Sequence, residues 1–588
     1  MKEEMISKDK VTANEIEKSP FNVLFHYLVF ISLIILYVFN ISKYFWTLAA
    51  PSDPLQYLGS AIWGTTYGYW PWLDRIALAV NLRIFSVFFN NSPETSMFYI
   101  GFINMAIIVL SIFWAFRKSG FWAALFVGVI LNSSYLMLGW ATYLYADQTV
   151  ALYSLLAFIF FFSDSPPKNN FRNIVISGIF TGFAIFTKAP AIAVLIFFII
   201  CIICNKNWKK LLYFAYGTFA GSLAVIALFI ILYNFESFIN VWRLFFGGGL
   251  ASNIQLTHGE PKSYYNMLTS LNYFPFLALF VAISSYRNQK TKYLFILSLV
   301  FIIGMYIIRP IGAPVPSYIY TAYIFAALGF SIYLSDLIGD AKASVFNNIF
   351  THIAISALLI ILLIVGLRIG FKYSPVPNFE YGYNYYKPLD IYAAGGLINE
   401  IWVIYLYAFG PIIIIGLLAY LEFSKSKIAV ILFIVFSSLW LSFFNGGLAF
   451  KKAEFDRAEA AAYYEFASIL NEVPVDNFNV YITDWGMINT PEDRILWVYR
   501  IFSDKKYQRV FEPAYKSQIE NERLVRGNIS FLRSEAEIVS ARKAPILTDK
   551  PDIVIYYFPD ARKISTITWN DKTLTLLDIS KAQPKNKL

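Results

Sequence analysis

Apolar residues in this chain come in long runs separated by short polar connections. The first run, about Val23 to Ile41, follows a polar N-terminus of mixed charge from Met1 to Pro20. No small-residue cleavage site follows it, so it predicts an uncleaved first helix. Further runs fall at about 95–116, 120–139, 148–163, 174–188, 190–204, 211–233, 270–285, 293–308, 318–335, 349–369, 400–421 and 428–446. A bilayer core takes about 20 apolar residues of helix, and the pattern predicts an all-α polytopic membrane protein of about 13 transmembrane helices. Pro190 divides the stretch 174–204, which reads as a hairpin or as one kinked helix.

Alternating these spans with the first loop outside puts Arg117-Lys118, Lys168 with Arg172, Lys206 with Lys209-Lys210, Arg287 with Lys290 and Lys292, and Lys425 with Lys427 on one side. Basic connections mark the cytoplasm, so the N-terminus is expected inside and the C-terminus outside. The long segments 42–94, 234–269, 372–399 and the tail from about Ala449 then lie on the outer face. Within the first of these, Leu55, Leu58, Ile62, Trp63, Ile76, Leu78, Val80, Leu82, Ile84 and Phe85 are interrupted by Gln56, Asp74, Arg75, Asn81 and Arg83. That mixture predicts interfacial helices in the first exterior loop, with Trp63, Trp70 and Trp72 as anchors.

The tail is more charged and carries two β-rich runs, Phe478 to Thr483 and Ile553 to Phe558, with helical patterns at Glu465 to Leu470 and Arg494 to Phe502. It reads as a small α/β extracytoplasmic C-terminal domain. The expected division is a transmembrane domain over 1–448 and an outer-face domain over 449–588.

Composition sharpens this picture. The 588 residues are 58% hydrophobic and only 15% charged, which excludes a string of soluble domains and a disordered chain. A net charge of +10 raises the question of nucleic acid, but the basic residues sit in short loops beside apolar runs, with no soluble basic module; membrane lipids are the expected partners. Cys201 and Cys204 form a C-x-x-C inside an apolar run and read as small apolar residues of a helix. The absence of an intracellular retention signal and the richness in Lys, Asn, Ile and Phe point to a bacterial plasma membrane, and a monomer is expected.

A few polar residues near the outer ends of the spans carry the candidate chemistry. Asp53, in Ala50-Pro51-Ser52-Asp53-Pro54, follows the first span; it reads as a helix N-cap before proline, or as a base or metal ligand held at the membrane surface. Asp147 opens the fourth span and has the same two readings, so Asp53 and Asp147 are the candidate ligands if a divalent metal is used. Asp74-Arg75 adds a cation on the amphipathic segment, as a phosphate ligand or a snorkelling arginine. Lys188, in Thr187-Lys188-Ala189-Pro190, lies between two apolar runs and needs a partner, water or an anion. Arg243 and Arg309 are expected at the same depth, as helix-end anchors or, with Lys188, as ligands of a lipid phosphate. His258 and Glu260 lie in an exterior loop after Gly247-Gly248-Gly249, and three histidines in all exclude a histidine-rich metal site.

Taken in order, Asp53 with Tyr57, the interfacial loop, Asp147, the Thr187-Lys188-Ala189-Pro190 turn after Gly178 and Gly182, and Arg309-Pro310 before Tyr318-Ile319-Tyr320 resemble the C-type superfamily of membrane glycosyltransferases. The branch resembled is that of the protein O-mannosyltransferases and aminoarabinose transferases, over about 1–335. The resemblance implies inverting transfer of a monosaccharide from a polyprenyl-phosphate donor to a lipid, glycan or protein acceptor. It implies Asp53 as general base, Asp147 in the same cavity, and Lys188, Arg243 and Arg75 or Arg309 on the donor phosphate; Tyr57, Asp74, His258 and Glu260 are the candidate substrate contacts. Physical chemistry agrees: a lipid-linked donor has its phosphate at the interface, where a carboxylate and cations are needed. Two other classes fit the outline, an oligosaccharide polymerase, ligase or oligosaccharyltransferase, and a lipid-linked glycan transporter. A transporter predicts internal repeats, and the sequence shows none.

Overall fold

The computed structural model describes residues 20–45, 57–59, 61–62, 75–92, 94–139, 141, 144–163, 167–244, 289–308, 320–340, 349–373, 410, 412–414, 416–421, 424, 426–446, 449, 453, 457, 478–481, 529–532, 534–541, 543–569 and 572–585. In hydrocarbon no water satisfies the backbone, so an apolar run closes its hydrogen bonds on itself as a helix. Helix α1 is Pro20–Asn40, continuing as a π turn over Ile41–Phe45. α2 is Ile76–Phe88, α3 Glu94–Ser133 and α4 Tyr135–Gly139. α5 is Ala146–Phe161, α6 Pro167–Thr187, α7 Ile192–Cys204, α8 Trp208–Tyr233 and α9 Phe235–Leu244. α10 is Gln289–Ile308, α11 Tyr320–Asp340, α12 Ile349–Tyr373 and α13 Lys427–Trp440, with a π segment Leu441–Gly446 behind it.

Five of the described helices are long and apolar enough to cross a membrane: Val23–Lys43, Glu94–Ser133, Trp208–Tyr233, Tyr320–Ile338 and Ile349–Gly370. Shorter apolar helices coincide with the expected spans at 148–163, 174–188, 190–204 and 428–446. The expected span at 270–285 lies outside the described residues, as does most of 400–421. Helix α3 holds two expected spans. Its backbone breaks at Ser119 and at Gly120, whose φ of 78° falls in the left-handed region that glycine tolerates. At Pro190 the chain also breaks: α6 ends at Thr187, a 3-10 turn covers Ala189–Ala191, and α7 begins at Ile192.

Contacts divide the chain into two units, Met1–Trp46, Phe98–Ala227 and Gly248–Phe455 in one, Thr47–Met97, Leu228–Gly247 and Asp456–Leu588 in the other. In the first unit α5 packs along α6 and α11, α10 along α11 and α7, and α12 along α13 and α1. Helix α11 is almost wholly enclosed, which its small residues Ala322, Ala326 and Ala327 permit. α8 instead leaves Leu212, Tyr216, Phe219, Leu223 and Ile231 exposed, a face suited to lipid.

Side-chain ties join span ends that the alternation assigns to one side. Towards the outer ends, the Tyr37 hydroxyl donates to the Met137 carbonyl (3.2 Å), the Asn104 amide donates to the Ala141 carbonyl (3.0 Å), and Tyr320 donates to Asn104 Oδ1. Towards the inner ends, Ser335 donates to the Ser119 carbonyl (2.9 Å) and His26 Nε2 meets His352 Nδ1 at 3.3 Å. Both histidines are buried and stack on Phe121, with Phe116 against His26 and Trp122 against His352. Replacing His352 by alanine leaves a buried ring nitrogen of His26 without that partner, at an expected cost of about 1–3 kcal/mol. The check is the thermal unfolding midpoint of the detergent-solubilised protein; a midpoint equal to that of the parent would show that the pair does not hold α1 to α12.

Helices α6 and α8 touch backbone to backbone through two matched motifs, Gly178-Ile179-Phe180-Thr181-Gly182 and Gly217-Thr218-Phe219-Ala220-Gly221. A Cβ on Gly182 would stand 2.6 Å from the Thr218 carbonyl oxygen, and one on Gly217 would overlap the Val175 carbonyl. Attraction between apolar helices in lipid comes from such close approach. Gly217→Ala forces the helices apart and is expected to cost about 1–3 kcal/mol. The same unfolding measurement applies, with Ala220→Gly as a control that adds no atoms to the contact.

In the second unit α2 encloses Ile76, Ala77, Leu78, Ala79, Val80, Leu82 and Ser86 and exposes Ile84, Val87 and Phe88. Arg83 Nη1 donates to the Ile62 carbonyl (2.9 Å), while the Tyr233 hydroxyl lies 2.9 Å from the Ala61 carbonyl and 3.0 Å from that of Ala79. Two of the polar interruptions in the amphipathic segment therefore have structural work: one is Arg83, and the other, Arg75, is described below.

The tail residues form a five-stranded sheet of order β2-β1-β3-β5-β4, where β1 is Phe478–Tyr481, β2 Ile529–Leu532, β3 Ile546–Thr548, β4 Arg562–Trp569 and β5 Lys572–Asp578. β1 runs parallel to β2 and β3, and β5 runs antiparallel to β3 and β4. Helices α14, Glu535–Val539, and α15, Pro551–Tyr557, cover a core of Tyr481, Leu532, Ile538, Ile546, Val554, Phe558 and Leu577. The expected strand at Ile553 to Phe558 is α15 instead. Pro551 starts it, Asp552 suits its first turn, and Val554 and Phe558 are buried four residues apart, which is helical spacing. The helical patterns expected at 465–470 and 494–502 lie outside the described residues.

Candidate active site

The first cluster is built by a helix start and a helix break. α5 begins at Ala146, and its N-cap position is Tyr145, whose N–H donates to Gln148 Oε1 (3.1 Å). Asp147 is therefore not the cap. It sits in the first turn, where the helix dipole favours a carboxylate, and its side chain turns to Lys188. Lys188 is reached because α6 stops at Thr187 and Lys188 itself is extended, with φ −164° and ψ 135°. Pro190, two residues on, cannot continue the helix hydrogen bonding, which is the local reason for the stop.

The Lys188 ammonium lies 2.9 Å from Asp147 Oδ1 and 2.7 Å from Oδ2, a short contact to both oxygens. The two side chains are only 12% and 8% exposed, so the pair is weakly screened. Beside Asp147, Gln148 and Thr149 are buried, and Thr149 Oγ1 is 2.8 Å from the Tyr99 hydroxyl. The polar layer of Tyr37, Asn104, Met137 and Tyr320 belongs to the same unit. The partner that a lysine between apolar runs requires is thus a carboxylate 41 residues away.

That geometry bears on a metal. Both Asp147 oxygens face the ammonium, so a divalent cation there would have to displace a positive charge already in contact. Among the described residues no group of three or more His, Cys, Asp or Glu side chains comes together to hold a metal ion. Among the described residues the donor set around Asp147 does not make a metal site.

The second cluster lies in the other unit. The Arg75 guanidinium stands 5.0 Å from the centre of the Tyr57 ring, and Tyr57 is 3% exposed. Two residues that the sequence marks as candidates, Tyr57 and Arg75, are thus neighbours through a cation–π contact. Arg243 lies on α9, Phe235–Leu244. Asp53, Asp74, His258, Glu260 and Arg309 lie outside the described residues.

Away from the helices, the Tyr481 phenol is pushed up from its ordinary value, first by burial and then by the carboxylates of Glu535 and Asp549. The exposed Tyr557 hydroxyl donates to Glu535 Oε2 at 3.0 Å. On α7, Cys201 and Cys204 are free thiols, as their apolar setting suggested. The His26–His352 pair is not legible in the sequence, where the two residues stand 326 apart.

The backbone shares its fold with solved structures of ArnT. The solved structures it is similar to include ArnT from Cupriavidus metallidurans in the apo state, at 13% identity and a TM-score of 0.53, over 94% of this chain and 98% of that one. Against the same protein bound to undecaprenyl phosphate the identity is 13% and the TM-score 0.55, over 96% and 99%. The oligosaccharyltransferase of Archaeoglobus fulgidus, in the apo form, reaches a TM-score of 0.48 at 12% identity, over 82% of this chain and 64% of that one. No family model and no curated protein sequence matches the chain.

Proposed function

We propose that the protein is an integral membrane glycosyltransferase that moves a monosaccharide from a polyprenyl-phosphate donor to a lipid, glycan or protein acceptor on the outer face of a bacterial plasma membrane. The observation that carries this reading is the buried Lys188 ammonium, presented at a helix break by Asp147. The fold adds support, since a solved protein that shares it binds undecaprenyl phosphate.

In this mechanism the acceptor hydroxyl gives its proton to Asp53 as its oxygen attacks the anomeric carbon. The bond from that carbon to the phosphate oxygen breaks, and the electron pair stays on the departing lipid phosphate. Lys188, with Arg243, Arg309 and Arg75, takes up the charge that develops there, so no general acid is needed. Tyr57, Asp74, His258 and Glu260 are assigned to substrate contact. The chain acts as a monomer, with residues 1–448 as the transmembrane part and 449–588 on the outer face.

The test is transfer of radiolabelled sugar from polyprenyl-phosphate monosaccharides to membrane acceptors by the purified protein in liposomes. Labelled acceptor is the expected result. Movement of intact lipid-linked sugar across the bilayer without transfer would replace the enzyme reading by a transporter.

A further inference from the structure

We propose that Asp147 is a charge filter: it cancels the field of Lys188 enough that the spent lipid phosphate, which carries more charge than the donor, gains no advantage in binding. The inference rests on the assignment of Lys188 to the donor phosphate. Its starting point is the pair itself, with the ammonium 2.7 and 2.9 Å from the two carboxylate oxygens and both side chains largely buried.

The reaction changes the charge of the lipid. A polyprenyl-phosphate sugar is a phosphodiester with one negative charge. When the bond from the anomeric carbon to the phosphate oxygen breaks, the electron pair stays on that oxygen, the acceptor's proton goes to the base, and the lipid becomes a phosphate monoester. A monoester has a second ionisation at about pH 6 and carries about −1.5 to −2 at neutral pH. Coulomb attraction scales with the product of the charges, so a lysine acting alone would hold the product more tightly than the donor. That order favours inhibition by product over turnover.

A carboxylate in contact with the ammonium changes the balance. A phosphate that reaches Lys188 comes within a few ångströms of Asp147, and attraction and repulsion both grow with the lipid's charge. The lysine–aspartate pair presents a small net field, and the second charge of the product adds little. An asparagine in place of Asp147 keeps the size and an acceptor oxygen but removes the opposing charge. The lysine's preference for the dianion then emerges.

Undecaprenyl phosphate and its methyl ester are probes that need no knowledge of the sugar, because the methyl diester keeps one charge at every pH used. Binding of both to the full chain in nanodiscs is to be measured at about pH 8 and about pH 5.5, on either side of the monoester's second ionisation. The parent protein is expected to bind the two lipids within about threefold at both pH values, and Asp147→Asn to prefer the monoester about tenfold at the higher pH only. Asp147→Glu should keep the parental ratio. An unchanged ratio in Asp147→Asn overturns the filter. If that variant does not fold, the parent decides: a monoester that tightens tenfold between the lower and the higher pH also overturns it. Lys188→Met separates the two ideas. If it leaves both affinities unchanged, the assignment of Lys188 to phosphate fails; if it weakens both while the ratio in Asp147→Asn stays parental, the filter alone fails.

Discussion

Lys188→Ala should leave the protein expressed but strongly destabilised, by about 3–5 kcal/mol. The magnitude follows from what remains: Asp147 would be left buried, its side chain 8% exposed, with the ammonium gone from both oxygens. Asp147→Asn combined with Lys188→Met removes both charges at similar volume, and most of the lost stability should return, since no unpaired charge is left buried. Thermal unfolding of the three proteins in one detergent measures this. A double variant no more stable than Lys188→Ala would mean that the pair is not the source of the loss. The double variant also separates structure from chemistry: it should fold like the parent, so that its transfer activity can be read without a loss of stability.

Asp53→Asn should lower transfer by about 10²–10⁴-fold while donor binding survives. The substitution is chosen because asparagine caps helices as well as aspartate does. If Asp53 were only the cap before Pro54, the variant would be as stable and as active as the parent. A base, in contrast, cannot be replaced by an amide, which does not take the acceptor's proton at neutral pH. Single-turnover transfer with saturating donor, alongside a donor-binding measurement, gives both quantities; transfer at the parental rate removes Asp53 from the reaction.

Much of this is readable from the amino-acid sequence. The apolar runs locate the helices because hydrocarbon leaves the backbone no other solution. The break at Pro190 and the need of Lys188 for a partner follow from one residue each. What the sequence could not supply was the identity of that partner. Asp147 and Lys188 are 41 residues apart, on α5 and α6, and only the packing of those helices brings the carboxylate to the ammonium. The same holds for Gly178 and Gly182: their spacing is visible in the sequence, but not that Gly217 and Gly221 of α8 face them. The error in the tail has a local cause. Ile553 to Phe558 is rich in strand-forming residues, yet tertiary packing buries Val554 and Phe558 on one side of a short helix after Pro551.

The pairing of His26 with His352 has a consequence for how the chain is made. The two rings are 326 residues apart, so the first helix enters the membrane long before its partner exists. At synthesis rates of about 5–20 residues per second, α1 waits roughly 15–65 s with a polar ring nitrogen that has not met its partner. During that interval the neighbours already made are Phe116, Phe121 and Trp122 of α3, which stack around the imidazoles in the finished protein. Biogenesis therefore proceeds around a half-built helix end, with an aromatic nest holding the place for a helix that arrives much later.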